Sequence, residues 1–206
     1  VVSDPPFGDR THDGARTMAA HDTHGVVAYG RWTAQDVAEF VAWATPLTRR
    51  WMTCMTSHDL IPAWEAAYEA AGWYHFAPVP IIIRGMGVRR QGDGPASWGI
   101  YLMTARARSR EAMANPHSNG TALWRALPGG YTWTPGGGNR RGQGYDKPID
   151  GMRDLVTDYS NPGDLVCDPF AGYGSTLIAA AQLGRRVVGS VIQSDIALAA
   201  NAAVAN

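Results

Sequence analysis

The segment from Asp168 to Thr176 combines an acidic side chain with closely spaced glycines, a pattern that can bind an anion at the start of a helix. It lies where an apolar stretch predicted as a strand, 165–167, gives way to a helix predicted after Gly174. Glycines at such a turn let the backbone approach a ligand, and the first helical turn presents unpaired N–H groups to a group such as a carboxylate. Alone the pattern is weak evidence, because tight strand-to-helix turns often need glycine for steric reasons.

A second group of residues with chemical potential, Asp4, Pro5, Pro6 and Phe7, follows a short apolar stretch at the start of the chain. That stretch is predicted to be the end of a strand, because two prolines stop a β-ladder and turn the backbone. Taken alone, the tetrapeptide fits an ordinary turn that ends a strand. A chemical role for it therefore depends on other motifs in the chain.

Together these segments resemble the amino-group DNA methyltransferases, which transfer a methyl group from S-adenosylmethionine to adenine N6 or cytosine N4. Residues 168–176 resemble the cofactor-binding signature of that family, and Asp4 to Phe7 resemble its catalytic tetrapeptide. Lys147 and Pro148 are similar to the Lys-Pro that opens the helix before the signature. The order, with the tetrapeptide first and the signature last, matches the circularly permuted beta group, and the resemblance runs from residue 4 to about 190.

The resemblance implies a mechanism for the tetrapeptide. An exocyclic amine is a poor nucleophile because its lone pair is delocalised into the ring. The Asp4 carboxylate and the Pro5 carbonyl would accept the two amino hydrogens, and Pro5 and Pro6 would aim the backbone rigidly. Phe7 would stack on the flipped base, and no metal is needed. The cofactor-binding residues that the resemblance implies are Lys147, Pro148, Asp168, Pro169, Phe170, Ala171, Gly172, Gly174, Ser175 and Thr176.

Three alternatives stay open within this resemblance. Asp at position 4 favours adenine N6 in DNA, whereas cytosine N4 enzymes more often have Ser there, and adenine enzymes that act on RNA share the tetrapeptide. Val191 also stands where the family has an acid that binds the ribose hydroxyls, and an apolar side chain cannot accept those hydrogen bonds. Gln193 or Asp195 would have to compensate. A non-catalytic nucleic-acid-binding relative is therefore the third alternative.

The periodicity of the chain predicts an α/β fold in one domain, 1–206. Strands are predicted at 1–2, 51–56, 79–83, 97–105, 165–167 and 187–189, and helices at 33–46, 59–72, 148–159, after 174 and in the alanine-rich C-terminal stretch. Alternating strands and helices indicate a doubly wound, mostly parallel sheet, and the resemblance makes it Rossmann-like, as in class I methyltransferases. Residues 109–145 are rich in glycine and are predicted as a loop-rich recognition insertion.

The charge is distributed unevenly along a chain whose formal net charge is zero. Residues 84–141 contain nine Arg and two acidic residues, so the rest of the chain is acidic overall. We expect this basic segment to face DNA, and a recognition segment this short leaves room for a second subunit, as in a homodimer. The nucleic-acid-binding residues predicted on this basis are Arg84, Arg89, Arg90, Arg140 and Arg141, with the aromatic residues Trp124, Tyr131 and Trp133 among them.

Composition also argues against several other kinds of protein. No apolar run is long enough to span a membrane and no export signal is seen, so a cytoplasmic enzyme is expected. The two cysteines, Cys54 and Cys167, lie in predicted strands and are expected to be reduced thiols. His12, His21 and His24 lie close to Asp13 and Asp22, but their spacing fits no standard zinc pattern, and we expect no metal site.

Overall fold

The structure is a computed structural model. It describes residues 1–9, 30–83, 100–107, 127–134 and 147–192, together with the helical positions 197, 201 and 204. The predicted DNA-binding arginines, the His/Asp cluster, Trp124, Gln193 and Asp195 lie outside these residues, so those predictions stay predictions.

Among the described residues, the larger sheet has six strands, in the order β1–β2–β5–β4–β6, with β3 beside β5. β1 is parallel to β2, β4 is parallel to β6, and β5 is antiparallel to β2, β3 and β4, so β5 alone among these six runs against the others. The strands are β1 Val2–Ser3, β2 Trp51–Ser57, β3 Tyr74–His75, β4 Val79–Ile83, β5 Ile100–Arg106 and β6 Tyr131–Trp133.

Two further strands, β7 Leu165–Asp168 and β8 Arg186–Gly189, form a parallel pair. β7 packs beside β1, and the side chains of Ser3 and Asp168 are hydrogen-bonded across that boundary. The carboxyl ends of β1 and β7 therefore lie next to each other. In open α/β sheets ligands bind at this edge, outside the carboxyl ends of parallel strands.

Helices are divided between two apolar cores. α3 Ile149–Tyr159 and α4 Ser175–Gln182 pack together and bury Met152, Leu155 and Ala179 with residues of β4, β5 and β6. α1 Ala34–Ala44 and α2 Ile61–Ala70 pack together over a separate core that includes Met52, Cys54 and Met103. The predicted α/β architecture, with helices on both faces of a mostly parallel sheet, is confirmed.

α1 forms for local reasons that the sequence shows. Thr33 is its N-cap and makes a capping box with Asp36, which satisfies two backbone N–H groups at the helix start. Val37, Phe40 and Val41 are buried at helical spacing. After Ala44 the chain continues as a 3₁₀ turn, Thr45–Leu47, that contains Pro46.

Other predicted boundaries differ in detail. A 3₁₀ turn, His58–Leu60, precedes α2, so Asp59 does not cap that helix, and Pro62 lies in its first turn as expected. Gly72 follows α2 with a φ of 77°, which suits glycine at a helix stop. Within the predicted insertion 109–145 the structure describes 127–134, and these residues include the strand β6, which three residues were too few to predict.

Cys54 is a buried free thiol and Cys167 a partly buried one, as predicted. Burial raises the pKa of both thiols above the usual value, which keeps them protonated. Among the residues that the structure describes, no helix is both long and apolar enough to cross a bilayer.

Candidate active site

The tetrapeptide lies at the carboxyl end of β1, held there by the parallel pairing of Ser3 with Cys54 in β2. Pro5 and Gly8 are buried, while Asp4, Pro6 and Phe7 are partly exposed. The Gly8 N–H donates to Ser57 Oγ at 3.1 Å, so the backbone after the tetrapeptide is tied to the end of β2. A Cβ at Gly8 would lie 2.4 Å from Asp59 Oδ2, so the Asp59 carboxylate would have to shift to admit a side chain there.

Lys147, two residues before the start of α3, contacts the tetrapeptide. Its ammonium group donates to Asp4 Oδ2 in a partly buried ion pair, and the same nitrogen lies 5.5 Å from the centre of the Phe7 ring. Asp4 Oδ1 is buried and has no hydrogen-bond partner among the described residues. One oxygen of the Asp4 carboxylate is therefore fixed by a cation, while the other remains able to accept a hydrogen bond.

The glycine turn between β7 and α4 has the backbone conformation that its sequence predicts. Gly172 and Gly174 have φ angles of 48° and 86°, the left-handed region that glycine adopts at low cost. Gly174 is the N-cap of α4, so no side chain caps that helix. A hydrogen bond links the turn to the residue after β8, since the Ala171 N–H donates to the Ser190 carbonyl at 3.0 Å. This leaves a helix N-terminus with the geometry of an anion site.

Asp168 connects the turn to the tetrapeptide. Its side chain is 1% exposed, and it accepts hydrogen bonds from Ser3 Oγ at 2.6 Å, from the Phe170 N–H at 3.1 Å and from the Thr176 side chain. Burial raises the pKa of Asp168, although these three hydrogen bonds oppose the shift. Asp4 and Asp168 thus belong to one connected group at the sheet edge.

A cleft of about 500 Å³ lies between α1 and the residues that follow β8. The Phe170 ring lies 5.3 Å from the Trp32 ring and 5.7 Å from the Phe40 ring, measured between centroids. The residues that line the cleft are Trp32, Asp36, Glu39, Phe40, Trp43, Pro169, Phe170, Ser190, Val191 and Ile192. Its volume is within the ~300–1,000 Å³ range of small-molecule sites, and its aromatic walls suit a planar ring.

The structure brings the described candidate residues into one region, with one unexpected contact. The tetrapeptide and Lys147 are in contact, and Asp168 bridges them to the turn that runs to Thr176. Lys147, predicted to bind the cofactor, contacts Asp4 and Phe7. Sequence reasoning missed the α1 wall of the cleft, because the apolar spacing of α1 showed that Phe40 is buried but not what lies beside it. Groups of three potential metal ligands do not occur among the described residues.

Comparison with known proteins gives a consistent result. The family model described as "DNA methylase" (N6_N4_Mtase) matches residues 103–202. The chain is 46% identical over 44 residues to the "Putative methylase YubD" of Escherichia coli (strain K12), a match that covers 21% of this chain and 19% of that protein. It is 52% identical over 44 residues to the type II methyltransferase M.EcaI of Enterobacter cloacae, covering 21% of this chain and 10% of the relative. These matches therefore span less than a fifth of either relative.

Similar solved structures extend over nearly the whole chain. The M1.HpyAVI–SAM complex has a TM-score of 0.66 at 16% identity and covers 98% of this chain and 86% of its own. PvuII DNA methyltransferase, which is cytosine-N4-specific, has a TM-score of 0.62 at 10% identity and covers 98% and 79%. At such identities the likeness establishes the fold, and it confirms the predicted Rossmann-like fold of class I methyltransferases. The family match over residues 103–202 and the two relatives together support an amino-group DNA methyltransferase family for this chain.

Proposed function

We propose that this protein transfers a methyl group from S-adenosylmethionine to the exocyclic amino group of a base in DNA, and that the base is adenine. The observation that carries the proposal is the unequal pairing of the two carboxylate oxygens of Asp4. One of its carboxylate oxygens is paired with Lys147, and the other is buried without a partner among the described residues. A buried acceptor without a partner is costly, so its presence at this sheet edge is best explained by a ligand that donates to it.

The amino group of a base is a suitable donor for this position. Asp4 Oδ1 and the Pro5 carbonyl accept its two hydrogens, which returns lone-pair density to the nitrogen, and Asp4 is placed to take the proton that the nitrogen loses. Phe7, partly exposed beside Asp4, offers an aromatic face to a base that has left the helical stack. Lys147 pairs with Oδ2 of the Asp4 carboxylate and leaves Oδ1 to accept from the base.

The residues around the glycine turn fit S-adenosylmethionine. The uncapped start of α4 suits the carboxylate of the methionine moiety, and the cleft beside Phe170 has the size and aromatic walls for an adenine ring. Pro148 and the residues of 168–176 named above would form this side of the site. The bound cofactor supplies an electrophilic methyl group on a positively charged sulfur, while the protein supplies position and orientation.

The choice of adenine rests on Asp at position 4, and the choice of DNA rests on the family. Arg84, Arg89, Arg90, Arg140 and Arg141 are the residues proposed to contact the nucleic-acid backbone, because guanidinium groups neutralise phosphates. PvuII DNA methyltransferase has a similar fold and is cytosine-N4-specific, so the fold alone does not decide the base.

The test is methyl transfer from labelled S-adenosylmethionine, followed by digestion and mass analysis of the nucleosides. Duplex DNA, single-stranded DNA and RNA compete in the same reaction. We expect N6-methyladenine from DNA, whereas N4-methylcytosine or a preference for RNA would overturn that part of the proposal. Asp4→Ala should abolish transfer and leave S-adenosylmethionine binding unchanged. Glu69→Ala, which removes an exposed carboxylate of α2, is the matched control and should retain activity.

A second candidate function is favoured by Val191, which lines the cleft where the family has a ribose-binding acid. If the cofactor is not held, the chain is a nucleic-acid-binding relative without methyl transfer. Calorimetric titration separates the two: DNA binding with no heat from millimolar S-adenosylmethionine would favour the non-catalytic protein. Heat at lower concentrations would support the enzyme.

A further inference from the structure

The wall of the cleft formed by the residues after β8 offers few side-chain acceptors to a pair of ribose hydroxyls. Val191 is apolar, and the Ser190 hydroxyl already donates to the Pro169 carbonyl at 2.6 Å. Ile192, with 91% of its surface exposed, adds a further apolar side chain. If a nucleoside binds here, its hydroxyls need acceptors from another element, because unpaired hydroxyls in a binding site cost affinity.

The opposite wall supplies two carboxylates. Asp36 and Glu39 lie one turn apart on α1, and both line the cleft together with Phe40 and Trp43. This wall therefore presents aromatic rings and negative charge side by side. The combination suits a nucleoside, whose base packs on rings while its two adjacent hydroxyls donate to one carboxylate.

The two acids differ in how strongly they are engaged within the protein. Asp36 Oδ2 accepts from the Thr33 N–H at 2.7 Å and from Thr33 Oγ1 at 2.6 Å, and these bonds begin α1. The Asp36 carboxylate therefore cannot turn toward a ligand without weakening the capping box. Glu39 accepts from Gln35 Nε2 at 2.8 Å in an exposed bond that contributes little to stability. Glu39 is the carboxylate that can turn to a ligand at low cost.

We propose that Glu39 accepts hydrogen bonds from the ribose hydroxyls of the adenosyl group, in place of the acid that position 191 lacks. The inference rests on the proposed function, since it assigns a binding residue to the same cofactor. It places the ribose between β8 and α1, with its hydroxyls toward α1. The chain thus replaces an acid that follows β8 by one from a helix on the opposite wall.

The experiment is isothermal titration of the full chain with S-adenosylhomocysteine and with its 2′-deoxy analogue. Glu39→Gln removes the charge and keeps the size of the side chain, and Glu69→Gln is the matched control on α2. Glu39→Gln should bind S-adenosylhomocysteine about tenfold more weakly, since a charge-assisted hydrogen bond is replaced by a neutral one. The wild type should bind the 2′-deoxy analogue more weakly than the parent compound, and Glu39→Gln should show a much smaller difference between them.

The second part of the experiment restores an acid at position 191. Adding Val191→Glu to Glu39→Gln should recover most of the lost affinity for S-adenosylhomocysteine. If the wild type binds S-adenosylhomocysteine and Glu39→Gln binds it equally well, the proposed role of Glu39 is wrong and the proposed function stands. The same conclusion follows if the substitution weakens the binding of both ligands to the same extent. If the wild type binds neither ligand, the proposed function itself fails. Melting curves of all variants check that each is folded, and the comparison of the two ligands on the wild type tests for a hydroxyl contact without any substitution.

Discussion

Ser3 Oγ donates a 2.6 Å hydrogen bond to Asp168 Oδ1, joining two residues that are 165 positions apart in the chain. Both side chains are buried, and each belongs to a different motif of the permuted sequence. Ser3 directly precedes the tetrapeptide, and Asp168 begins the glycine turn. The bond therefore sets the distance between the residues proposed to hold the base and those proposed to hold the cofactor.

Removing the Ser3 hydroxyl should destabilise the protein. Ser3→Ala leaves a buried carboxylate with one donor fewer, which costs roughly 1–3 kcal/mol of the free energy of unfolding. Urea denaturation measures the loss as a lower midpoint at unchanged slope. Thr132→Val, which removes an exposed hydroxyl from β6, is the control and should change stability little. Equal stabilities for both variants would mean that the bond between Ser3 and Asp168 contributes nothing measurable.

The raised pKa of Asp168 predicts a pH dependence of stability. A carboxyl whose pKa is higher in the folded state binds its proton more tightly there, so its contribution is complete below the unfolded value of 3.8. That contribution is lost as the pH rises through the folded pKa. Asp168→Asn does not ionise and should therefore gain stability relative to the wild type as the pH rises from about 4 to about 7.

Urea unfolding of both proteins across this pH range measures the difference directly. Taking the difference between the two proteins cancels the titration of all groups that do not interact with Asp168. A difference that stays constant would show that the pKa of Asp168 is not raised. A difference of opposite sign would show that the hydrogen bonds to Asp168 outweigh its burial.

What the sequence predicted well was local in origin. The capping box of Thr33 and Asp36, the apolar spacing of α1 and the positive φ angles of Gly172 and Gly174 each depend on a few neighbouring residues. What it could not predict depends on contacts between distant segments. Nothing near Lys147 in the chain indicates that its ammonium group pairs with Asp4.

The cleft also combines a local feature that the sequence predicts with contacts between distant segments that it does not predict. The apolar spacing of α1 identifies Phe40 as a core residue, and the rest of α1 reads as an ordinary exposed face. Only the packing of α1 beside Phe170 and Val191 places Glu39 at a cleft. Such a contact arises from the topology of the sheet, since β8 and α1 are far apart in the chain and contact each other only after folding.

Lys147 provides a test that separates two roles. The contacts with Asp4 and Phe7 predict that Lys147→Met lowers the rate of methyl transfer about tenfold or more, since an ion pair that orients the carboxylate is lost. S-adenosylmethionine affinity should change little. Lys147→Arg keeps the positive charge and should recover part of the rate. Separate measurement of kcat and of the dissociation constant decides the matter, because a loss confined to affinity would make Lys147 a cofactor ligand, as the sequence alone predicted.

Gly151 lies where α3 packs against the Trp133 ring of β6, and a substitution there tests how tight this packing is. A Cβ at this position would lie 2.4 Å from the ring of Trp133, which is 3% exposed. Alanine favours a helix over glycine by about 1 kcal/mol, but overpacking a core costs roughly 1–3 kcal/mol, so Gly151→Ala should be less stable than the wild type. In Gly129→Ala the added methyl meets no atom within 4 Å, and its thermal unfolding should be close to that of the wild type.

The same substitution should also act on the site, because α3 begins two residues after Lys147. If Trp133 cannot move, the added methyl pushes α3 outward and draws Lys147 away from Asp4. Gly151→Ala should then lose methyl transfer at temperatures where circular dichroism shows it to be folded. If it is as stable and as active as Gly129→Ala, Trp133 yields to the extra methyl, and the position of Lys147 does not depend on the packing of α3 against β6.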